Sequence, residues 1–146
     1  MLDDLYNKDV LRLAATISRA ERLADPDGSA RLKSPLCGSD IVVDVRVENG
    51  KVADFGQRIR ACALGQAAAS VLARDVIGAD LAELVRLRDR MERFITGDGP
   101  PPGGHWSRLA ALAHVRDHPA RHGAVMLPFR ATVQAVEAAL AKSDAA

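Results

Sequence analysis

The chain has 146 residues, enough for one domain with its own core, and we expect a single domain over 1–146. Its formal net charge of +1 gives no electrostatic reason to expect a nucleic-acid partner or an acidic membrane. No apolar run approaches the length of a membrane span, and the start of the chain lacks the basic and apolar regions of a signal peptide. Two cysteines are too few for a disulfide framework, so we expect a reducing, cytoplasmic setting.

The first elements in chain order are a helix and a short strand. Apolar side chains recur at helical spacing over residues 2–24, which predicts one amphipathic helix. The turn-forming sequence Asp25-Pro26-Asp27-Gly28 is expected to end this helix. Ala30 to Lys33 follows as a short edge strand. The apolar face of the helix is then available to cover a sheet.

A β-hairpin is predicted around Asn49-Gly50, because a type I′ turn needs positive φ at both central residues. Alternating apolar residues in the preceding strand indicate one buried face: Ile41, Val43, Val45 and Val47. With Asn49 and Gly50 as the loop, paired residue numbers sum to 99, so Cys37 falls opposite Cys62. Directly opposed residues lie roughly 4.5–5.5 Å apart, which lets two thiols share a metal ion or form a disulfide. A β-bulge, for which Gly56 is the candidate, would shift this pairing by one residue.

Helical patterns dominate the chain after Arg60. They are predicted over 61–77, from an Asp80 cap to about Thr96, over 106–115 and over 126–142, with a Gly/Pro loop over 97–104. The order of helix, small sheet and several helices indicates the α+β class. We therefore expect an antiparallel sheet of about three strands, with the N-terminal helix and the C-terminal helices packed on one face.

The two cysteines are the main candidates for a functional site. Cys62 falls in the first turn of a predicted helix, where backbone N–H groups and the helix dipole favour a thiolate, and Cys37 lies in a Pro/Gly loop. We predict both as metal ligands, with Asp40 and His122 as auxiliary candidates. The alternatives are two cysteines that only pack in the core, and a solvated Asp40 and His122. No phosphate-binding loop, nucleophile motif or acid–base pair is recognised, so we predict no catalytic residue and no enzyme.

Three stretches together resemble the iron–sulfur cluster assembly scaffold proteins, the family of NifU-like N-terminal domains. Pro35-Leu36-Cys37-Gly38 resembles the loop of the family's first cysteine. Ala61-Cys62-Ala63-Leu64-Gly65, with the small residues after it, resembles the start of its second-cysteine helix. Pro119-Ala120-Arg121 and the residues that follow resemble the segment of its third cysteine. The match spans nearly the whole chain in the same order.

The resemblance implies an activity and partners. The protein would accept sulfur from a cysteine desulfurase, bind iron or build a transient [2Fe–2S] cluster on its cysteines, and pass it to apo iron–sulfur acceptor proteins. Some members of the family instead bind zinc and relay sulfur as a persulfide. A homo-oligomer, in which a second subunit completes the ligand set, is also considered.

Two positions depart from the family's pattern. Ser39 stands where the family usually has Asp, and the third cysteine aligns with Ala124. A second hypothesis is therefore a degenerate paralogue that keeps the fold and a protein-binding role but binds no metal. A third is a small redox protein that cycles a Cys37–Cys62 disulfide, although no Cys-x-x-Cys motif supports it.

Overall fold

The computed structural model describes residues 5–35 and 38–145, and these form an α+β fold around one antiparallel sheet. The helices are α1 (Lys8–Ala15), α2 (Ala63–Asp75), α3 (Leu81–Thr96) and α4 (His122–Ala145), with 3₁₀ helices at Gly104–Asp117 and Pro119–Arg121. The strands are β1 (Gly28–Lys33), β2 (Asp40–Glu48) and β3 (Lys51–Arg60), in the order β1-β2-β3. α4 packs across β1 and β2, and α2 and α3 pack on α4. The predicted fold class is confirmed.

α4 is the central helix of the core. Together with the short 3₁₀ helix before it, it forms a stretch over Pro119–Ser143 that is long and apolar enough to cross a membrane by length and composition. However, 67% of that stretch's most apolar window is buried inside the protein. A helix buried among other elements in this way is a core helix, because a membrane-spanning one would turn its apolar surface to lipid.

The hairpin turn and its buried face are as predicted. Asn49 and Gly50 have φ angles of 54° and 76°, as a type I′ turn requires. Of the four positions of β2 predicted to be buried, three are fully buried, namely Ile41, Val43 and Val45. Val47 is only partly buried against the core. The alternation along β2 therefore fixed which face of the sheet packs on the helices.

The register of the hairpin contains a β-bulge. Near the turn the paired residue numbers sum to 99, but Arg46 pairs with Asp54, so Ala53 is an extra residue in β3. The bulge turns both Val52 and Phe55 toward the core, where they are 1% and 2% exposed. Gly56, the predicted bulge position, is an ordinary paired residue of β3.

The N-terminal helix is shorter than predicted. α1 ends at Ala15, and residues 17–24, here called the strap, are not helical. The strap follows the outer edge of β3, where the N–H of Gln57 donates to the oxygen of Arg19 at 3.0 Å. It then crosses the sheet at Gly56, whose missing side chain leaves room for the backbone of Glu21. Covering an edge strand outweighs the helical pattern of these residues, because uncovered edge groups would be left without partners.

A buried carboxylate holds the strap on the sheet face opposite the helices, here called the outer face. The alternation of β2 predicts an exposed Asp44, yet Asp44 is fully buried. It accepts hydrogen bonds from Arg22 Nε at 2.6 Å, Arg22 Nη2 at 3.1 Å, the Leu23 N–H at 3.0 Å and Ser29 Oγ at 2.6 Å. Burial alone would raise the pKa of Asp44, but the hydrogen bonds from Arg22, Ser29 and Leu23 outweigh it and lower that pKa below its ordinary value. The hydrogen bond and charge of Asp44 in turn raise the pKa of Arg22.

Candidate cysteine site

Cys62 lies where β3 passes into α2. It is the N-cap residue of α2, with φ −65° and ψ 171°, and its side chain makes no capping hydrogen bond. The side chain is half-buried and packs against the rim of the core. The predicted position of Cys62 at a helix start is therefore confirmed, at an end where the first N–H groups lack helical partners.

α2 and α4 touch one turn after Cys62. A Cβ atom at Gly65 would lie 2.8 Å from Ala61 Cβ and 3.1 Å from the backbone oxygen of Ala124. The glycine therefore lets the backbone of α4 lie directly against the first turn of α2. Ala124, which the resemblance described above aligns with the family's third cysteine, is fully buried at this contact.

The loop between β1 and β2 touches the same end of α4. A Cβ atom at Gly123 would lie 2.7 Å from Ser34 Oγ. Ser34 also closes the base of the loop, since its N–H donates to Ser39 at 2.8 Å and its oxygen accepts from the Gly38 N–H at 3.2 Å. Cys37 is a residue of this loop and lies outside the described residues. The base of the Cys37 loop, at Ser34, and the first turn of α2, at Gly65, thus both contact the start of α4.

The register that placed Cys37 directly opposite Cys62 is wrong. Beyond the bulge the paired residue numbers sum to 100, and the ladder ends at the pair Asp40 and Arg60. The extra residue, Ala53, shifts every later pair by one position. The prediction of Cys37 and Cys62 as ligands is separate from this register and stays a prediction.

Asp40 is the first residue of β2, with Lys33 and Arg60 as its neighbours across the sheet. It is half-buried and lines a cavity on the outer face, together with arginines that include Arg58 and Arg60. Cys62 is not among the residues that line this cavity. Asp40 as an auxiliary ligand therefore stays a prediction.

His122 is the first residue of α4 rather than part of an irregular segment, because α4 begins four residues before the predicted start. Its Nε2 lies 2.7 Å from the backbone oxygen of Val115. A carbonyl only accepts, so this nitrogen carries the proton, and Nδ1 is the nitrogen left to bind a metal. Within residues 5–35 and 38–145, no three His, Cys, Asp or Glu side chains form a group that could hold a metal ion.

Two features of the site are not predicted from the sequence. The contact between Gly123 and Ser34 is long-range, and no local pattern indicates it. The arginine-lined cavity does have a signal, because Arg31 in β1 and Arg58 and Arg60 in β3 occupy alternating positions of their strands. Pairing β1 with β2 and β2 with β3 would have placed the three on one face.

Comparison with known proteins identifies relatives along most of the chain. The model of the NifU-like N terminal domain matches residues 5–122. The chain is 23% identical over 133 residues to the iron–sulfur cluster assembly scaffold protein IscU of Thermotoga maritima, covering 91% of this chain and 93% of that protein. It is 25% identical over 109 residues to the protein of the same name from Streptococcus pyogenes serotype M1, covering 75% and 69%.

Solved structures share the fold. The N-terminal NifU-like protein from Brucella abortus superimposes with a TM-score of 0.92 at 41% identity, over 96% of this chain and 97% of that one. The SUF-system protein FiSufU from Fervidobacterium islandicum AW-1 has a TM-score of 0.82 at 16% identity, covering 92% and 98%, and shows the fold alone. Because the family model matches most of its length, this chain belongs to the family of NifU-like N-terminal domains, whose members include iron–sulfur cluster assembly scaffold proteins.

Proposed function

We propose that the protein is an iron–sulfur cluster assembly scaffold or sulfur acceptor that uses Cys37 and Cys62 as thiolate ligands. Family membership and the IscU relatives support this function. The observation that carries it is that the base of the Cys37 loop and the first turn of α2 both contact the start of α4. Gly123 contacts Ser34 at the base of the Cys37 loop, and Ala124 contacts Gly65 one turn after Cys62.

The ligand chemistry suits a cargo that is bound and then released. A [2Fe–2S] cluster is held by four cysteine thiolates, so two from this chain supply half of the set. Asp40, His122 or the thiols of a second copy would supply the remainder. Open positions let an acceptor's own ligands replace those of the scaffold one at a time. Iron alone and zinc also accept thiolate ligands, so both remain candidates for the same pair.

The partners follow from the same proposal. A cysteine desulfurase would donate sulfur to a thiolate, and apo iron–sulfur proteins would accept the cluster, all in the reducing cytoplasm. Cys62 is only partly buried, which would leave a route for a partner's reactive group. The protein would bind, position and release its cargo, with no chemical step assigned to a general acid or base.

Anaerobic reconstitution with iron and sulfide tests the proposal. The wild type should gain visible charge-transfer absorbance with bound iron and sulfide, and the Cys37→Ser/Cys62→Ser variant should gain neither. Ala63→Ser is the matched control, since it adds a hydroxyl beside Cys62 and leaves both thiols. Equal iron and sulfide in the wild type and the double variant would overturn the proposed ligands.

A second candidate function is a protein-binding paralogue that holds no metal. The fully buried Ala124 at the third-cysteine position favours it, because no ligand comes from that side. Metal analysis of protein purified without oxygen separates the two functions. Stoichiometric, tightly bound iron or zinc would contradict the second candidate.

A further inference from the structure

Four basic side chains form a cluster on the outer face of the sheet, here called the outer-face cluster: Arg31, Lys33, Arg58 and Arg60. The strand register sets their arrangement, since Arg31 and Arg58 flank Val42 and the other two flank Asp40. All four side chains are exposed. The two rows are separated by two residues along the strands, or roughly 7 Å.

A cavity of about 600 Å³ lies beside this cluster. It is distinct from a cavity of about 760 Å³ that lies between helices elsewhere in the protein. The strap forms one wall of the cavity beside the cluster through Ile17 and Ala20, and the sheet forms its floor through Val42. Gln66, in the first turn of α2, lies on its rim. The cavity is therefore lined both by β3, which precedes Cys62 in the sequence, and by α2, which follows it.

The charges in this cavity are not balanced within the described part of the chain. Its lining includes four arginines and one carboxylate, Asp40, and Arg22 is already paired with Asp44 at 2.6 Å. The guanidinium groups of Arg31, Arg58 and Arg60 make no hydrogen bond or ion pair with any described residue. These exposed guanidinium groups therefore add no ion pair to the described part of the fold and are available to a partner's carboxylates.

The cluster lies at the end of the sheet from which Cys62 emerges. Arg60 precedes Cys62 by two residues, and the side chain of Gln66 donates to the backbone oxygen of Ala61 at 3.0 Å. A molecule held by Arg60 and Gln66 would therefore lie beside the start of α2. This continuity joins the basic face to the candidate cysteine site.

We propose that the outer-face cluster is the docking surface for an acidic segment of a partner protein that works at the candidate cysteine site. Guanidinium groups bind carboxylates in bidentate geometry, and exposed charges steer association with an oppositely charged surface. The arginines are exposed and the cavity is wide, which fits acidic side chains on another protein better than an enclosed small anion. The role of the partner rests on the proposed function, whereas the docking itself does not.

Titration of a capped hexaglutamate peptide onto the metal-free protein, followed by calorimetry and amide chemical shifts, tests the docking. We compare the wild type with Arg31→Gln/Arg58→Gln/Arg60→Gln. The matched control is Arg86→Gln/Arg90→Gln/Arg93→Gln, which removes the same charge from the exposed side of α3. The first variant should bind at least about tenfold more weakly than the wild type and the control, and wild-type affinity should fall between about 20 mM and 200 mM salt.

Three outcomes would overturn the docking surface: no binding to the wild type, equal binding to the wild type and the outer-face variant, or an equal loss in the α3 control. Citrate provides the small-anion arm, and citrate binding as tight as that of hexaglutamate would overturn the acidic partner segment. Repeating the titration with Cys62→Ser separates this proposal from the proposed function. Peptide binding that is unchanged in Cys62→Ser, beside wild-type protein that fails to reconstitute a cluster, would leave the docking surface standing and remove the scaffold.

Discussion

Replacing Gly56 with alanine tests how the strap is held against the sheet. A Cβ atom at this position would overlap the backbone oxygen of Glu21 and lie 3.1 Å from Leu23 N. Backbone atoms cannot rotate away as a flexible side chain can. Gly56→Ala should therefore push the strap off the outer face rather than repack locally.

The cost follows from the hydrogen bonds that the strap would lose. The Leu23 N–H bond to the Asp44 carboxylate, at 3.0 Å, is worth about 1.5–3 kcal/mol because its acceptor is charged. The Gln57 N–H bond to Arg19 adds about 0.5–1.5 kcal/mol. Alanine also lowers the conformational entropy of the unfolded chain relative to glycine, which stabilises the folded state by about 0.4–1 kcal/mol. The free energy of unfolding should fall by about 2–3 kcal/mol, which lowers Tm by roughly 6–10 °C for a chain of this length.

Urea unfolding and thermal unfolding, both followed by circular dichroism, measure this change. Gly97→Ala is the matched control, because its Cβ atom would meet only the Arg93 oxygen at an ordinary 3.5 Å. Hydrogen exchange should show faster exchange at Leu23 and Gln57 in Gly56→Ala alone. Equal stability of the two variants, with both amides still protected, would refute the packing of the strap on Gly56.

The remaining predictions concern the buried carboxylate, one helix cap and the missing ligand position. Asp44→Asn should lower the free energy of unfolding near pH 7 by about 3 kcal/mol. This is the low end of the cost of breaking a buried ion pair, because Arg22 is half-exposed and water can solvate it when the partner charge is removed. The pKa of Asp44 is lowered in the folded state, so its stabilisation is present above the ordinary carboxyl pKa and is lost as the pH falls through the folded-state pKa. The gap between wild type and Asp44→Asn in urea midpoints should therefore narrow at the lowest pH at which the fold persists, and a constant gap would contradict the pKa direction. Asp80 accepts from the Glu83 N–H at 2.8 Å at the start of α3, so Asp80→Ala should cost about 1 kcal/mol in the same assay, whereas no loss would contradict the cap. Ala124→Cys should lengthen the lifetime of a reconstituted cluster against a chelator, because it adds a thiolate beside the first turn of α2, and an unchanged lifetime would argue against a ligand at this position.

Local signals account for what was predictable in the fold. The type I′ turn at Asn49-Gly50, the Asp80 cap and the buried face of β2 depend on residues close in sequence, and all three are confirmed. The bulge at Ala53 and the path of the strap depend instead on packing between distant segments, at the edge of β3 and on the outer face of the sheet. Those are tertiary effects, and they override the helical spacing of residues 17–24.

The candidate site divides in the same way. The helix start at Cys62 follows from the change of period after Arg60, and it is confirmed. The convergence of Ser34, Gly123 and Gly65 depends on contacts between segments far apart in the chain. From the sequence, only the family resemblance connected those segments. Residue spacing alone gave a hairpin register that placed the two cysteines opposite each other, and the bulge shows that this register is wrong.

Iron K-edge X-ray absorption of the anaerobically reconstituted protein most directly tests whether the Cys62 thiolate holds the metal. The wild type should show an iron environment dominated by sulfur. Cys62→Ser, prepared with the same iron load, should lose sulfur neighbours and gain oxygen or nitrogen. Identical spectra for the two proteins would contradict ligation by the Cys62 thiolate and with it the scaffold proposed for this chain.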